Sequence, residues 1–237
     1  MLFRSAVEYD LGNLEQAEEY YKRSLDIQLK KLGPEDIEVA STYNNLGFVQ
    51  RYLGNLQQTV DYYKRALDIR LKKLGTENID VARIYNNLGA VQHDLGNLQQ
   101  AEEYHKFALD IQLKILEPDD IDVADTYSEL GGVQRELGNL EQAEKYCKRA
   151  LDIQLKKPGP ENIGIALTYS ELAVVQRDLG NLEQAEEYCK RALDKLGPED
   201  TDVALTYNNM GAVQRYLGNL QQPEEYYKRA QIGRAHV

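Results

Sequence analysis

The chain has 237 residues, of which 42% are hydrophobic and 28% are charged, and its formal net charge is −11. This composition is typical of a folded, soluble protein, and the length allows one large domain or a short array of small units. A chain this acidic is repelled by phosphate backbones and by anionic lipid, so we expect neither nucleic acid nor a membrane as its partner.

The cysteine content argues against a stapled or zinc-binding fold. Cys147 and Cys189 are the two cysteines, and neither belongs to a CxxC motif or a Cys/His cluster. We therefore expect no disulfide framework and no zinc site. The sequence has no apolar run near the roughly 20 residues of a membrane span, and its N-terminus lacks a signal-peptide pattern. These features favour a cytoplasmic protein.

One block of sequence returns along the chain. The string LGNL begins at six positions whose spacings are 42, 42, 42, 42 and 38 residues: Leu11, Leu53, Leu95, Leu137, Leu179 and Leu217. This self-similarity predicts an array of repeats. We place a partial repeat at 1–35, repeats at about 36–77, 78–119, 120–161, 162–199 and 200–231, and a non-native tail at 232–237.

Each unit is predicted to form two helices. In the first helix, Val39, Tyr43, Leu46 and Val49 recur at helical spacing. The sequence Leu53-Gly54 ends this helix, because glycine adopts the left-handed conformation at the C-terminus. Asn55 is predicted to cap the second helix, with Gln58 reaching back as in a capping box.

The second helix carries an apolar stripe and charged pairs. The stripe in the fourth copy contains Leu140, Ala143, Cys147, Ala150, Leu151 and Leu155. Acidic and basic residues four apart predict ion pairs on its surface: Glu18 with Lys22, Glu19 with Arg23, Glu186 with Lys190, and Glu187 with Arg191. The helix ends before Gly33-Pro34 and its equivalents, because proline disfavours a helical conformation in the residue before it.

A single helical hairpin cannot bury its apolar stripe, so about three or more units must stack. Small residues predict where helices approach closely: Gly47, Gly89, Gly131, Ala173 and Gly211 in the first helices, with Ala66, Ala108, Ala150 and Ala192 among those in the second. Tyr43, Tyr85, Tyr127, Tyr169 and Tyr207 are predicted to fill the space between helices.

Three irregularities interrupt the array. The segment Ala192–Gly197 lacks four residues present elsewhere, close to one helical turn, so the shortened helix should keep its buried face. Pro223 replaces an alanine but is predicted in a first turn, where a missing N–H costs least. Met1 aligns with Tyr43, which places the start of the chain inside a first helix, and the tail 232–237 matches nothing upstream.

The spacing of Tyr43, Leu46-Gly47, Tyr63 and Ala66 resembles the tetratricopeptide repeat, and the 42-residue period resembles the kinesin-light-chain and nephrocystin types. This resemblance implies an all-α fold, an α-solenoid of stacked antiparallel helical hairpins wound into a right-handed superhelix. It also implies that the chain binds other proteins, although one fold hosts many functions.

No constellation of residues indicates catalysis. The histidines His93, His105 and His236 are scattered, and His105 takes the place of a second-helix aromatic residue, as do Cys147 and Cys189. We interpret these three as packing residues. The glycine of LGNL stops a helix and belongs to no phosphate-binding motif. We therefore predict no enzyme activity, cofactor, metal or small-molecule substrate.

The resemblance implies that the first helices line a concave surface that binds a peptide. The matching stripe in the first complete unit is Ser41, Asn44, Asn45, Phe48, Arg51 and Tyr52, and in the next it is Arg83, Asn86, Asn87, Ala90, His93 and Asp94. The third and fourth units carry Ser128-Glu129 and Ser170-Glu171, with Arg135 and Arg177. The fifth carries Asn208, Asn209, Arg215 and Tyr216.

Three interpretations of this stripe remain open. Its asparagine amides could hold an extended peptide by the backbone, and its arginines favour a partner with acidic residues. A peptide could also bind in another mode. Alternatively, the arginines are ordinary solvated residues or pair with nearby carboxylates such as Glu129 and Glu171, and the array is a structural spacer or sensor arm of a larger protein.

Overall fold

The computed structural model describes residues 11–156, 162–196 and 201–218, and these residues form ten α-helices and no strand. The helices are α1 (Leu11–Lys31), α2 (Ile37–Tyr52), α3 (Leu56–Leu74), α4 (Ile79–Asp94), α5 (Leu98–Ile115), α6 (Ile121–Glu136), α7 (Leu140–Lys156), α8 (Asn162–Asp178), α9 (Leu182–Leu193) and α10 (Thr201–Tyr216). The predicted all-α fold is confirmed. The predictions for residues 1–10, Pro223, a sixth second helix and the tail 232–237 lie outside the described residues.

The chain forms two compact units, residues 1–115 and 116–237. In unit 1, each helix from α1 to α4 packs against the helix that follows it in sequence, and in unit 2 the same is true of α6 to α9. The even-numbered helices are the predicted first helices, and the odd-numbered ones are the second helices. The limits of the individual repeats stay a prediction.

Three first helices begin at a capping residue that the repeat supplies. The side chains of Asp36, Asn78 and Asp120 each accept a hydrogen bond from the backbone N–H two residues later, at 2.8, 2.8 and 2.9 Å. These bonds satisfy N–H groups that have no partner within the helix. The loop sequence thereby determines where the first helix starts.

The turn between the two helices is built by glycine, as predicted. Gly54 has a φ of 79°, and its N–H donates to Arg51 O while the N–H of Asn55 donates to Gln50 O. This pair of bonds closes the C-terminus of α2 in a left-handed conformation that only glycine adopts without strain. Equivalent bonds close α4, α6 and α8.

The predicted side-chain cap at Asn55 is wrong. Asn55 makes no side-chain bond to the start of α3. Its Nδ2 instead donates to Oε1 of the fully buried Gln50, at 2.8 Å. The same asparagine–glutamine bond recurs in the three following turns, at 2.8 to 3.0 Å. A buried amide needs a partner more than an exposed helix end does, because water can satisfy the helix end.

Within each hairpin, a small residue of the first helix faces a larger residue of the second. A Cβ atom added to Gly47 would lie 2.5 Å from the ring of Tyr63, and one added to Gly89 would lie 2.6 Å from the ring of His105. A Cβ atom added to Gly131 would lie even closer to the Sγ atom of Cys147. The predicted close approach is confirmed at these three glycines.

The tyrosines predicted to fill the space between helices also make ring contacts. The rings of Tyr43 and Tyr62 stack with centroids 6.0 Å apart, and three later hairpins repeat this contact at 5.9 to 6.1 Å. Arg65 lies over the Tyr43 ring at 5.6 Å. At the equivalent position Phe107 contacts Tyr85 at 5.4 Å, so the ring keeps a partner when the cation is lost.

The shortened helix α9 keeps its buried face. It has 12 residues against 17 in α7, yet Ala185, Cys189 and Ala192 remain buried. The deletion therefore removes the last turn of the helix, which in α7 includes the buried Ile153 and Gln154, and leaves the packing of α9 against α8 and α10. The four predicted ion pairs between residues four apart are also present.

Candidate functional site

In unit 1, the predicted stripe residues lie on α2 and α4, and several bind one another. Asn44 Oδ1 accepts a hydrogen bond from Asn87 Nδ2 at 3.1 Å, which joins the two first helices. Asn86 Oδ1 lies 3.1 Å from Nδ1 of His105, so this amide is directed toward the second helix α5. Asn45 is half-buried on the stripe. Asn86 therefore binds a buried residue of the core, whereas Asn44 and Asn87 bind each other between the two first helices.

Arg51 is paired across the two helices of that stripe. Its Nε lies 2.6 Å from Oδ2 of Asp94, and both side chains are about one-third exposed, at 37% and 32%. Next to this pair, the rings of Phe48 and Tyr52 lie 4.7 Å apart, and Tyr52 is 50% exposed. This end of the stripe thus presents an aromatic surface beside a neutralised charge.

In unit 2, the arginines of α6 and α8 also meet carboxylates. Arg135 Nε lies 2.5 Å from Oε1 of Glu171, and its Nη2 lies 3.3 Å from Glu136. Burial lowers the pKa of Arg135 while the Glu171 carboxylate raises it, and the net direction is upward. Arg177 binds Oδ1 of the adjacent Asp178 at 2.7 Å. The interpretation that these arginines pair with nearby acids is confirmed for Arg51, Arg135 and Arg177.

The last first helix, α10, differs from the others. Asn208 and Asn209 are half-buried on it, and Arg215 and Tyr216 are exposed, Tyr216 at 69%. Within the described part of the chain, Arg215 has no carboxylate partner, in contrast to the three paired arginines.

Hydroxyl groups replace asparagines between the first helices of unit 2. The Oγ of Ser128 lies 3.1 Å from Thr168 Oγ1, and the Oγ of Ser170 lies 3.0 Å from Thr206 Oγ1. Both serines belong to the predicted stripe. Their bonds join adjacent first helices, and Ser170 is buried.

Two exposed leucines on the first helices were not among the predicted stripe residues. Leu167 and Leu205 are 41% and 47% exposed on α8 and α10, at the position that Ser41 occupies on α2. A comparison of the repeats could have found them, because the same position carries the polar residues Ser41, Arg83 and Asp125 in the earlier repeats and changes to leucine in the later two.

The residues assigned to packing lie in the core. His105 is fully buried, and desolvation lowers its pKa to about 4. Cys147 and Cys189 are buried free thiols, and burial raises the pKa of both, that of Cys189 to about 12. Such thiols are poor nucleophiles, because the thiolate is the reactive form.

None of the described helices is both long enough and apolar enough to cross a membrane. In the same ranges, the His, Cys, Asp and Glu side chains form no group that could hold a metal ion.

Two-helix units that repeat every 42 residues, with a glycine-ended first helix and a small-to-large contact in each hairpin, define a helical repeat protein. The family model for the tetratricopeptide repeat matches residues 1–72, 80–156, 122–195 and 164–231. The chain belongs to the tetratricopeptide repeat family. Such repeats generally mediate interactions between proteins and are typically non-enzymatic scaffolds.

Several solved structures are similar to this chain. BtubC (BKLC) from P. vanneervenii is 24% identical, with a TM-score of 0.77 over 94% of this chain and 91% of that one. A putative kinesin light chain with nearly identical TPR-like repeats from Podosopora anserina is 18% identical, with a TM-score of 0.70 over 84% and 97%. The MamA protein is 18% identical, with a TM-score of 0.56 over 82% and 91%. At these identities the likeness concerns the fold. No curated protein matches the sequence.

Proposed function

We propose that the first-helix stripe binds a peptide segment of a partner protein. The observation that carries this proposal is that the stripe keeps large side chains accessible: Tyr52 on α2 is 50% exposed and Tyr216 on α10 is 69% exposed. Asn45 and Asn209 lie on the same sides of these helices, about two turns before the tyrosines, and their amides both donate and accept hydrogen bonds, as an extended peptide backbone requires. The net charge of −11 favours a protein ligand over a nucleic acid.

The charge preference of the ligand depends on which arginines are available. A ligand carboxylate would compete with Asp94 for Arg51 and with Glu171 for Arg135. Such an exchange gains little, because one carboxylate replaces another. A partner with acidic residues is therefore supported mainly at Arg215. Two buried free cysteines fit a reducing compartment such as the cytoplasm.

The test begins with selection of randomised twelve-residue peptides, displayed on phage, against the immobilised chain. The affinity of enriched peptides is then measured by fluorescence anisotropy for variants that block the stripe with a long side chain, Ala90→Arg and Ala212→Arg. Gln57→Arg and Gln99→Arg add the same side chain on exposed second-helix surface. We expect a stripe variant to weaken binding about tenfold or more, while the two controls leave it unchanged. Equal effects at both surfaces, or no enriched peptide, would refute the proposal.

A second function, a structural spacer, is favoured by the contacts between first helices. The side chains of Arg51, Asn44 and Arg135 each bind a residue of the next first helix. In a spacer these contacts hold neighbouring repeats together and need no ligand. Under this alternative, Arg135→Gln lowers the free energy of unfolding and no stripe variant changes the affinity for any peptide.

A further inference from the structure

One line of side chains along α10 is chemically different at its two ends. Leu205, Asn209, Ala212 and Tyr216 follow one another at spacings of four, three and four residues, which places them on one side of the helix. Leu205, 47% exposed, lies near the N-terminal end, and Tyr216 lies near the C-terminal end. The line therefore runs from an aliphatic to an aromatic surface, and the exposed Arg215 adds a cation on the adjacent side of the helix, about 100° from Tyr216.

The aliphatic end is widened by the neighbouring helix of the same unit. The buried hydrogen bond between Ser170 and Thr206, at 3.0 Å, fixes α8 against α10. Leu167 precedes Ser170 by three residues and Leu205 precedes Thr206 by one, so both leucines lie within one turn on the N-terminal side of this bond. They are 41% and 47% exposed. A single exposed leucine is ordinary, whereas contiguous apolar surface marks interaction sites, and these two leucines lie on helices that pack against each other.

Among the first helices that the structure describes, α8 and α10 are the two with an aliphatic residue at this repeat position. The equivalent positions of α2, α4 and α6 carry Ser41, Arg83 and Asp125. Since a polar residue is compatible with the fold at this position, packing within the repeat does not require the leucines. Their apolar side chains are left for contact with another molecule.

The cationic end supplies the charge complementarity. Within the described ranges, Arg215 is the stripe arginine with no carboxylate partner, whereas Arg177 on α8 already binds Asp178. A guanidinium in this state can form paired hydrogen bonds with a ligand carboxylate. Leu205 and Arg215 are ten residues apart, which corresponds to about 15 Å along the helix. An extended peptide covers this length with about four or five residues.

We propose that α8 and α10 bind an extended segment of a partner protein in which an aliphatic residue and an acidic residue are separated by four or five positions. The aliphatic side chain packs on Leu167 and Leu205, the carboxylate binds Arg215, and the amide of Asn209 meets the peptide backbone between them. This inference rests on the proposed function and specifies the ligand of unit 2.

The test uses the twelve-residue display library on the full chain and then measures affinities by fluorescence anisotropy. We expect enriched peptides to carry an aliphatic residue four or five positions from Asp or Glu. Leu205→Ser, which copies Ser41, and Arg215→Gln should each weaken binding about tenfold. Arg149→Gln is the matched control, because it removes the same charge from an exposed position of the second helix α7, away from the stripe, and it should leave the affinity unchanged.

Circular dichroism and urea unfolding establish that each variant is folded, which the exposure of both side chains favours. Enriched peptides without the spacing, or with affinities insensitive to Leu205→Ser and Arg215→Gln, would overturn the inference. Peptide binding blocked by Ala90→Arg alone would overturn it as well, while leaving the proposed function intact. The absence of any enriched peptide would overturn both.

Discussion

The contact between Gly47 and Tyr63 makes a quantitative prediction about how each hairpin is packed. Gly47→Ala places a methyl group 2.5 Å from a ring carbon of Tyr63, about 1 Å inside the normal separation of two carbon atoms. The tyrosine is only 2% exposed, so its ring has little space into which it can move. The substitution should therefore force the two helices apart or the ring out of its preferred rotamer.

Two opposing terms set the magnitude. Alanine in a helix interior is more favourable than glycine by about 1 kcal/mol, and overpacking of a filled core costs about 1–3 kcal/mol. We expect Gly47→Ala to lower the free energy of unfolding by up to about 2 kcal/mol. Gly132→Ala on α6 is the control, because its added Cβ meets only a Glu171 oxygen at 3.9 Å. That variant should gain stability by up to about 1 kcal/mol.

The chain itself supplies a compensating pair. In the fourth complete hairpin, Ala173 and Cys189 occupy the positions of Gly47 and Tyr63 and are both fully buried. The double variant Gly47→Ala/Tyr63→Cys reproduces that pair in the earlier hairpin. Tyr63→Cys alone leaves a cavity that should cost about 3 kcal/mol, and the added methyl group should make the double variant no less stable than this single one.

Equilibrium urea unfolding followed by circular dichroism measures all four variants under the same conditions, and thermal scans should show shifts of roughly 2–4 °C per kcal/mol. If the effects of Gly47→Ala and Tyr63→Cys simply add within about 0.5 kcal/mol, the two residues are not coupled and the packing argument fails.

Three further predictions concern buried polar groups. The pKa of folded His105 is about 4 against an ordinary 6.5, so the free energy of unfolding should fall by up to about 3 kcal/mol as the pH drops from 6.5 to 4. His105→Tyr should remove that part of the pH dependence in urea titrations, and an unchanged profile would contradict it. Asn97→Ala removes the donor to Gln92 Oε1 and should cost about 1–3 kcal/mol, whereas Gln92→Leu combined with it should cost less. Cys147 and Cys189 should react with a thiol reagent only after urea unfolding, and fast reaction of the native chain would show that they are accessible.

The helices and the turns were predictable from sequence because their signals are local. The spacing of Val39, Tyr43 and Leu46 determines one buried face, and Gly54 marks the end of that helix through a backbone conformation that other residues avoid. Neighbouring copies repeat both signals, so the helices predicted for one copy apply to the other copies.

The role of Asn55 was not predictable by the same reasoning. An asparagine before a helix usually caps it, and the local sequence contains nothing against that role. The competing acceptor is Gln50, which is buried only because the two helices pack. Local sequence rules describe what a residue can bond to, whereas burial decides which bond is made.

The partners of the stripe arginines were also beyond the sequence. Arg51 lies 43 residues from Asp94, and Arg135 lies 36 residues from Glu171. An acidic chain offers many carboxylates at such separations. Which of them binds an arginine depends on how two first helices are placed relative to each other, and the sequence does not give that placement. The exposed leucines are a different case, because a comparison of equivalent positions in successive repeats contained that signal.

The size-matched pair within each hairpin also bears on how an array of this kind can grow or shrink. Each small residue and its larger partner are 16 positions apart, as in Gly89 and His105, and both belong to one 42-residue copy. A gene duplication or deletion that inserts or removes whole copies keeps every such pair together, provided that its endpoints do not lie between the two residues of a pair. An endpoint between the two residues can join Ala173 to a tyrosine and create an overlap. The copies can therefore diverge in their core residues while their number remains free to change.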